Sequence, residues 1–165
     1  MRLKSLSWRF AVPCAALSLM VLTGCAPSVS IAAAQDSNNP ACAPMMVSLP
    51  DTLAGAKRRT TTSQATAAWG DPSLVVLRCG VAVPGPTTTK CVGVNGVDWI
   101  IKEGEQNWTM TTYGRNPAAE VTIDPNKIPS SSVLAGLSNA AEKLPKERAC
   151  VGPSDVENLP TAKAG

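Results

Sequence analysis

The stretch LVVLRCGVAV, Leu74 to Val83, is apolar except for Arg78, rich in valine, and closed by the turn-forming Pro84-Gly85-Pro86. A run of this kind reads as a central strand buried in a sheet. Downstream, Val92–Ile101 is a second strand with a turn signal, Asn95-Gly96, inside it. Gly104 to Asn107 is turn chemistry, and WTMTTY, Trp108–Tyr113, alternates large and hydroxyl side chains as a half-exposed strand does. Asn116-Pro117 turns the chain again before Glu120-Val121-Thr122-Ile123. Short links between successive strands imply antiparallel pairing.

Two helices flank this β region. Asn39-Pro40 starts one that runs through Leu49, with Cys42, Met45, Met46 and Leu49 at helical spacing; DTLAGAK, Asp51–Lys57, adds a further helical turn. Ser132 caps the other, because Val133, Leu134, Leu137, Ala140, Ala141 and Leu144 fall on one stripe and Pro145 stops it. Thr60–Thr66 is hydroxyl-rich and aperiodic, a loop or an edge strand. The fold class expected is α+β: a small antiparallel sheet of about four strands with helices on one face, stapled by disulfides.

The chain has 165 residues, enough for one domain and its appendages. Met1–Phe10 carries Arg2, Lys4 and Arg9 without an acid, and an apolar run from Ala11 to Leu22 follows. That is the layout of a secretory signal. A membrane span needs ~20 apolar residues, and this run is shorter and contains Pro13. Leu22-Thr23-Gly24-Cys25 resembles the lipobox of bacterial lipoproteins, which implies cleavage before Cys25 and lipidation of its sulfur. Ala32-Ala33-Ala34 offers a rival cut that would release a secreted protein. The expected organisation is a signal peptide over 1–24, a flexible tether over 25–39 reaching ~50 Å if extended, a globular domain over 40–150 and a mobile tail over 151–165. The domain then sits at the outer face of the cell membrane.

Fifteen Lys and Arg less the three in the signal leave twelve, against twelve Asp and Glu, so the exported chain is neutral and offers no basic surplus for nucleic acid. Cys42, Cys79, Cys91 and Cys150 remain for the domain. Outside the cytoplasm they read as two disulfides. The favoured pairing is Cys79–Cys91, around the Gly/Pro/Thr-rich loop, with Cys42–Cys150 bracketing the periodic region. Neither a C-x-x-C pair nor a histidine is present, so no metal and no cofactor is expected.

Without imidazole there is no Ser-His-Asp or Cys-His constellation. Asp71, Asp98 and Glu120 are the acids nearest the expected sheet ends, the pool from which a carboxylate-based hydrolase would draw a pair. Arg58, Arg59, Arg78 and Arg115 have the guanidinium forks that grip carboxylate or phosphate, but an arginine inside an apolar strand needs a partner, and Asp98 is the one expected for Arg78. Trp69, Trp99 and Trp108 supply either core volume or a ligand platform. The candidate surface for a ligand or partner is therefore Arg58, Arg59, Trp69, Asp71, Arg78, Asp98, Trp99 and Arg115.

RRTTTSQATAAWGDPSLVVLRCGV, then VNGVDWI, then TTYGR, resembles a family of actinobacterial envelope proteins known only as a domain of unknown function (3515). The resemblance implies an exported, membrane-associated protein and brings no catalytic residue. The reading of the whole chain is a membrane-anchored lipoprotein whose domain, not an enzyme, binds an envelope protein or ligand. The alternative is a histidine-free hydrolase of cell-wall polymer.

Overall fold

The computed structural model describes residues 27–151; the expected signal segment, Cys25 and the tail from 152 onward lie outside them. Its elements are α1 (Cys42–Val47), β1 (Thr52–Leu53), β2 (Ala56–Arg59), β3 (Thr66–Trp69), β4 (Val75–Val81), β5 (Cys91–Val94), β6 (Val97–Glu103), β7 (Trp108–Tyr113), β8 (Ala118–Ile123) and α2 (Ser130–Ala141). All the strands belong to one antiparallel sheet ordered β1-β2-β3-β4-β8-β7-β6-β5. This overturns the expected four-strand sheet with helices on one face: the described residues form an eight-stranded sheet with two short helices.

The extra strands come from three places. Asp51–Lys57, expected to be helical, is the β1–β2 hairpin, turning through Ala54 and Gly55 at φ 47° and 85°. Positive φ at both central residues is the hairpin geometry that matches strand twist. Asn95-Gly96, at φ 45° and 79°, makes a second such turn and breaks Val92–Ile101 at the position where the sequence offers a break, into β5 and β6. The third is β3, whose residues TAAW are all buried, so no inside–outside alternation marks it.

Eight strands laid flat would span ~34 Å, whereas a helix with its side chains is ~10–12 Å across. Helix α2 nonetheless touches both β1 and β5, which lie at opposite ends of the strand order. The sheet is therefore curled around α2. Its concave side carries Trp69, Val75, Leu77, Cys79, Val97, Trp99, Met110, Val121 and Ile123, packed against Val133, Leu134, Leu137 and Ala141. The stripe read for α2 is the buried one, but the cap position is Pro129, without a side-chain bond, and not Ser132.

Both disulfides form, with a connectivity other than the favoured one: Cys42 joins Cys79 and Cys91 joins Cys150. Cys79 points into the core and Cys91 pairs with Ile100 on the opposite face of the sheet, four strand positions away, so those two thiols cannot meet. Residues 27–39, expected as part of a tether, run along the body. Val29 bridges to Thr61, the Asp36 N–H donates to the Gly80 carbonyl at 2.9 Å, and Ala34 and Ser37 are buried. Gly80 sits at a bulge with φ +89°, and a Cβ there would strike the Asp36 backbone. Only glycine allows that approach.

Candidate functional site

The convex side of the sheet is not covered by either helix. Outward-facing positions there follow from the registers: Arg78 lies opposite Glu120, Glu120 opposite Thr111, and Thr111 opposite Ile100. Over this row the segment after β4 folds back. Val81–Thr87 and Thr89 form with Ile100, Lys102, Thr111 and Glu120 a cleft of about 440 Å³. A neighbouring hollow of about 550 Å³, lined by Pro86–Cys91, Tyr113, Cys150 and Val151, continues it. The Pro84-Gly85-Pro86 sequence keeps this segment out of the ladder, since proline lacks the N–H that a strand needs. The Cys91–Cys150 bond fixes its far end.

The cleft is chemically mixed. Val81, Val83 and Ile100 give it apolar wall, Thr87, Thr89 and Thr111 give hydroxyls, Lys102 a cation and Glu120 a carboxylate. Such a lining can hold an extended polar chain, a peptide or a glycan, by hydrogen bonds along an apolar floor.

Arg78 does not pair with Asp98. Its guanidinium donates to Glu120 at 2.5 Å, because the β4–β8 register puts the two side by side, whereas β6, which carries Asp98, lies three strand positions from β4. Asp98 instead accepts the Cys150 N–H at 3.0 Å. Arg78 and Glu120 are 36% and 20% exposed, so solvent screens the pair. Arg78→Met and Glu120→Gln are each expected to cost under about 1 kcal/mol, with a coupling of the same size in the double-mutant cycle. Urea melts of the three variants measure this, and a single-site loss above about 2 kcal/mol would mean a pair that is buried in solution.

The remaining expected site residues are scattered. Arg59 donates to Asp71 at 3.0 Å and to the Pro27 carbonyl at 2.9 Å, and Arg58 to the Leu49 carbonyl at 3.4 Å. Asp71 is exposed, in the turn before β4. Trp69 and Trp99 are fully buried; the Trp69 indole donates to the Pro50 carbonyl at 3.0 Å, and the Trp99 indole N–H has no partner among the described residues. Arg115 is buried at the end of α2. The eight residues thus occupy the β2–β3 corner, the convex sheet face, the core and a helix terminus, and none of them lines the cleft. The cleft itself adds Lys102, Thr111, Thr87 and Thr89, which their alternation and the Pro-Gly-Pro signal mark as outward or irregular without saying that they meet.

Among the described residues no group of three or more His, Cys, Asp or Glu is gathered to hold a metal ion. Residues 10–149 match the family described as "Protein of unknown function (DUF3515)". The chain belongs to that family. No curated protein and no solved structure matches this DUF3515 chain. Its Arg58-Arg59, Trp69-Gly70-Asp71-Pro72, Arg78-Cys79-Gly80, Asp98-Trp99 and Tyr113-Gly114-Arg115 words fall within the matched residues, and they map onto the corner, the bulge, the core and the α2 terminus.

Proposed function

We propose that the chain is an exported bacterial lipoprotein, held by Cys25 on the outer face of the cell membrane, whose domain is a non-catalytic binding or accessory module of the envelope. The observation that carries the binding role is the cleft between the 82–90 segment and the convex sheet face, floored by Ile100, Thr111 and Glu120. Support for the absence of catalysis comes from the acids. Asp71 is engaged by Arg59, Asp98 by the Cys150 amide and Glu120 by Arg78. Two carboxylates working on one glycosidic bond need a separation of ~5–9.5 Å. Asp98 and Glu120 lie two strands apart and one two-residue step out of register, ~12 Å between backbones. Two disulfides favour an oxidising compartment.

A photo-crosslinking residue placed at Thr111 in living cells tests the cleft against the same residue at Asn139, exposed on α2. An envelope adduct from position 111 and none from 139 is the expected result. Equal adducts, or none from 111, would overturn the binding role, and release of soluble cell-wall fragments that is lost in Glu120→Gln would overturn the non-catalytic one. For the anchor, Cys25→Ser is expected to accumulate an unprocessed precursor that takes up no labelled fatty acid. Labelling equal to the parent would remove Cys25 from that role.

A further inference from the structure

The geometry points to a second interaction surface: the β2–β3 corner around Lys57–Arg59 is seated on the headgroup layer of the membrane, with the strap of residues 27–37 holding it there. This rests on the proposed lipidation of Cys25. The two residues from Cys25 to Pro27 span at most ~7 Å, and the Pro27 carbonyl is bonded by Arg59. Beyond Pro27 the chain is not free. The Val29 N–H donates to the Thr60 carbonyl at 2.9 Å and the Val29 carbonyl accepts from Thr62 at 3.0 Å, so Val29 adds itself to the edge of the sheet past β2. Ser28 Oγ meets Thr60 Oγ1 at 3.1 Å. A segment fixed in this way cannot supply the ~50 Å reach of fifteen free residues. The lipid attachment point lies beside the corner.

The corner suits that neighbour. Lys57 and Thr60 are exposed, Arg58 and Arg59 half-buried, and Thr61 and Thr62 add hydroxyls, a polar surface for headgroups without an apolar wedge. Lys57, Arg58 and Arg59 are offset by Asp51 and Asp71, leaving one positive charge, so the covalent geometry and not attraction to anionic lipid sets the contact. From Val75, level with Trp69, β4 runs six residues to Val81, ~20 Å away, and delivers the 82–90 segment to the other end of the sheet. The cleft is then presented outward, away from the bilayer.

The test uses the mature lipoprotein, its acylation checked by mass spectrometry, in phosphatidylcholine vesicles carrying some nickel-chelating lipid as paramagnetic relaxer; the chain has no histidine to bind the metal. A nitroxide at Lys57→Cys is expected to relax severalfold more than one at Thr88→Cys. Val29→Pro combined with Arg59→Met, which removes the Thr60 bond and the grip on Pro27, is expected to shrink that difference. Equal relaxation at both positions in the parent would overturn the seat on the membrane. An unmodified Cys25 would overturn the anchoring reading and the seat with it. Hydrogen exchange at the Thr62 amide separates the strap from both, because slow exchange supports it and free-chain exchange overturns it.

Discussion

Changing Cys42, Cys79, Cys91 and Cys150 together to alanine is expected to leave the domain largely unfolded at room temperature, through a loss of about 8 kcal/mol. The two closed loops have sequence separations of 37 and 59 residues. On the chain-entropy account each contributes about 4 kcal/mol, and a domain has only about 5–15 kcal/mol in total. Because one loop ends before the other begins, the two losses should add. Burial then separates them. Cys42 and Cys79 are 2% and 0% exposed and belong to the core, so C42A/C79A leaves a cavity besides freeing the chain, whereas the Cys91–Cys150 bond lies half-exposed at the mouth of the hollow beside the cleft. Urea melts of the two double variants and the quadruple variant measure these terms. C42A/C79A is expected to cost more despite closing the shorter loop, and a quadruple variant that loses less than about 3 kcal/mol would show that the bonds do not hold the fold.

The connectivity is where reading the sequence failed most directly, and the reason is positional. Cys79 and Cys91 are near neighbours along the chain, but the eleven residues between them leave one strand on its inner face and rejoin the sheet at its far edge on the outer face. Strands with regular alternation were legible: Trp108–Tyr113 is β7 to the residue, since Met110 and Thr112 point in and Thr109, Thr111 and Tyr113 out. Strands built from small or helix-favouring residues were not. TAAW in β3 has too little β-branched bulk to be read, and Leu53 in β1 and Ala56 and Lys57 in β2 have helical propensity that cross-strand pairing overrides. The Arg78 partner failed for a related reason. Alternation alone puts Asp98 and Glu120 on the same face, and only the crossover that inserts β8 beside β4 decides between them.

Arg115 is expected to matter more than any surface charge, with Arg115→Met losing about 3–5 kcal/mol. It is 6% exposed, and its guanidinium bonds no carboxylate among the described residues. Instead it donates to the carbonyls of Glu142 at 3.1 Å, Leu144 at 2.7 Å and Gly96 at 3.2 Å. The first two lie just past α2, where carbonyls run out of helical N–H partners and the helix dipole is negative; α2 has no basic residue in its own last turn. Arg115 fills that role from the β7–β8 connection and at the same time ties the β5–β6 turn to the helix. The chain beyond α2 is held at the same point, with Asn116 donating to Pro145 and Glu147 to Gly114. Arg115→Lys should recover only a minor part of the loss, since one ammonium cannot reach three diverging carbonyls. The pH dependence identifies the mechanism. An arginine stabilised by a carboxylate loses that stabilisation as pH falls through the carboxylate's depressed pKa, whereas backbone carbonyls do not titrate, so the Arg115→Met loss should stay level as pH falls from neutrality through the carboxylate range. Urea melts of parent and variant across that range would show it, and a loss that shrinks on acidification would mean that a carboxylate, not the α2 terminus, balances the charge.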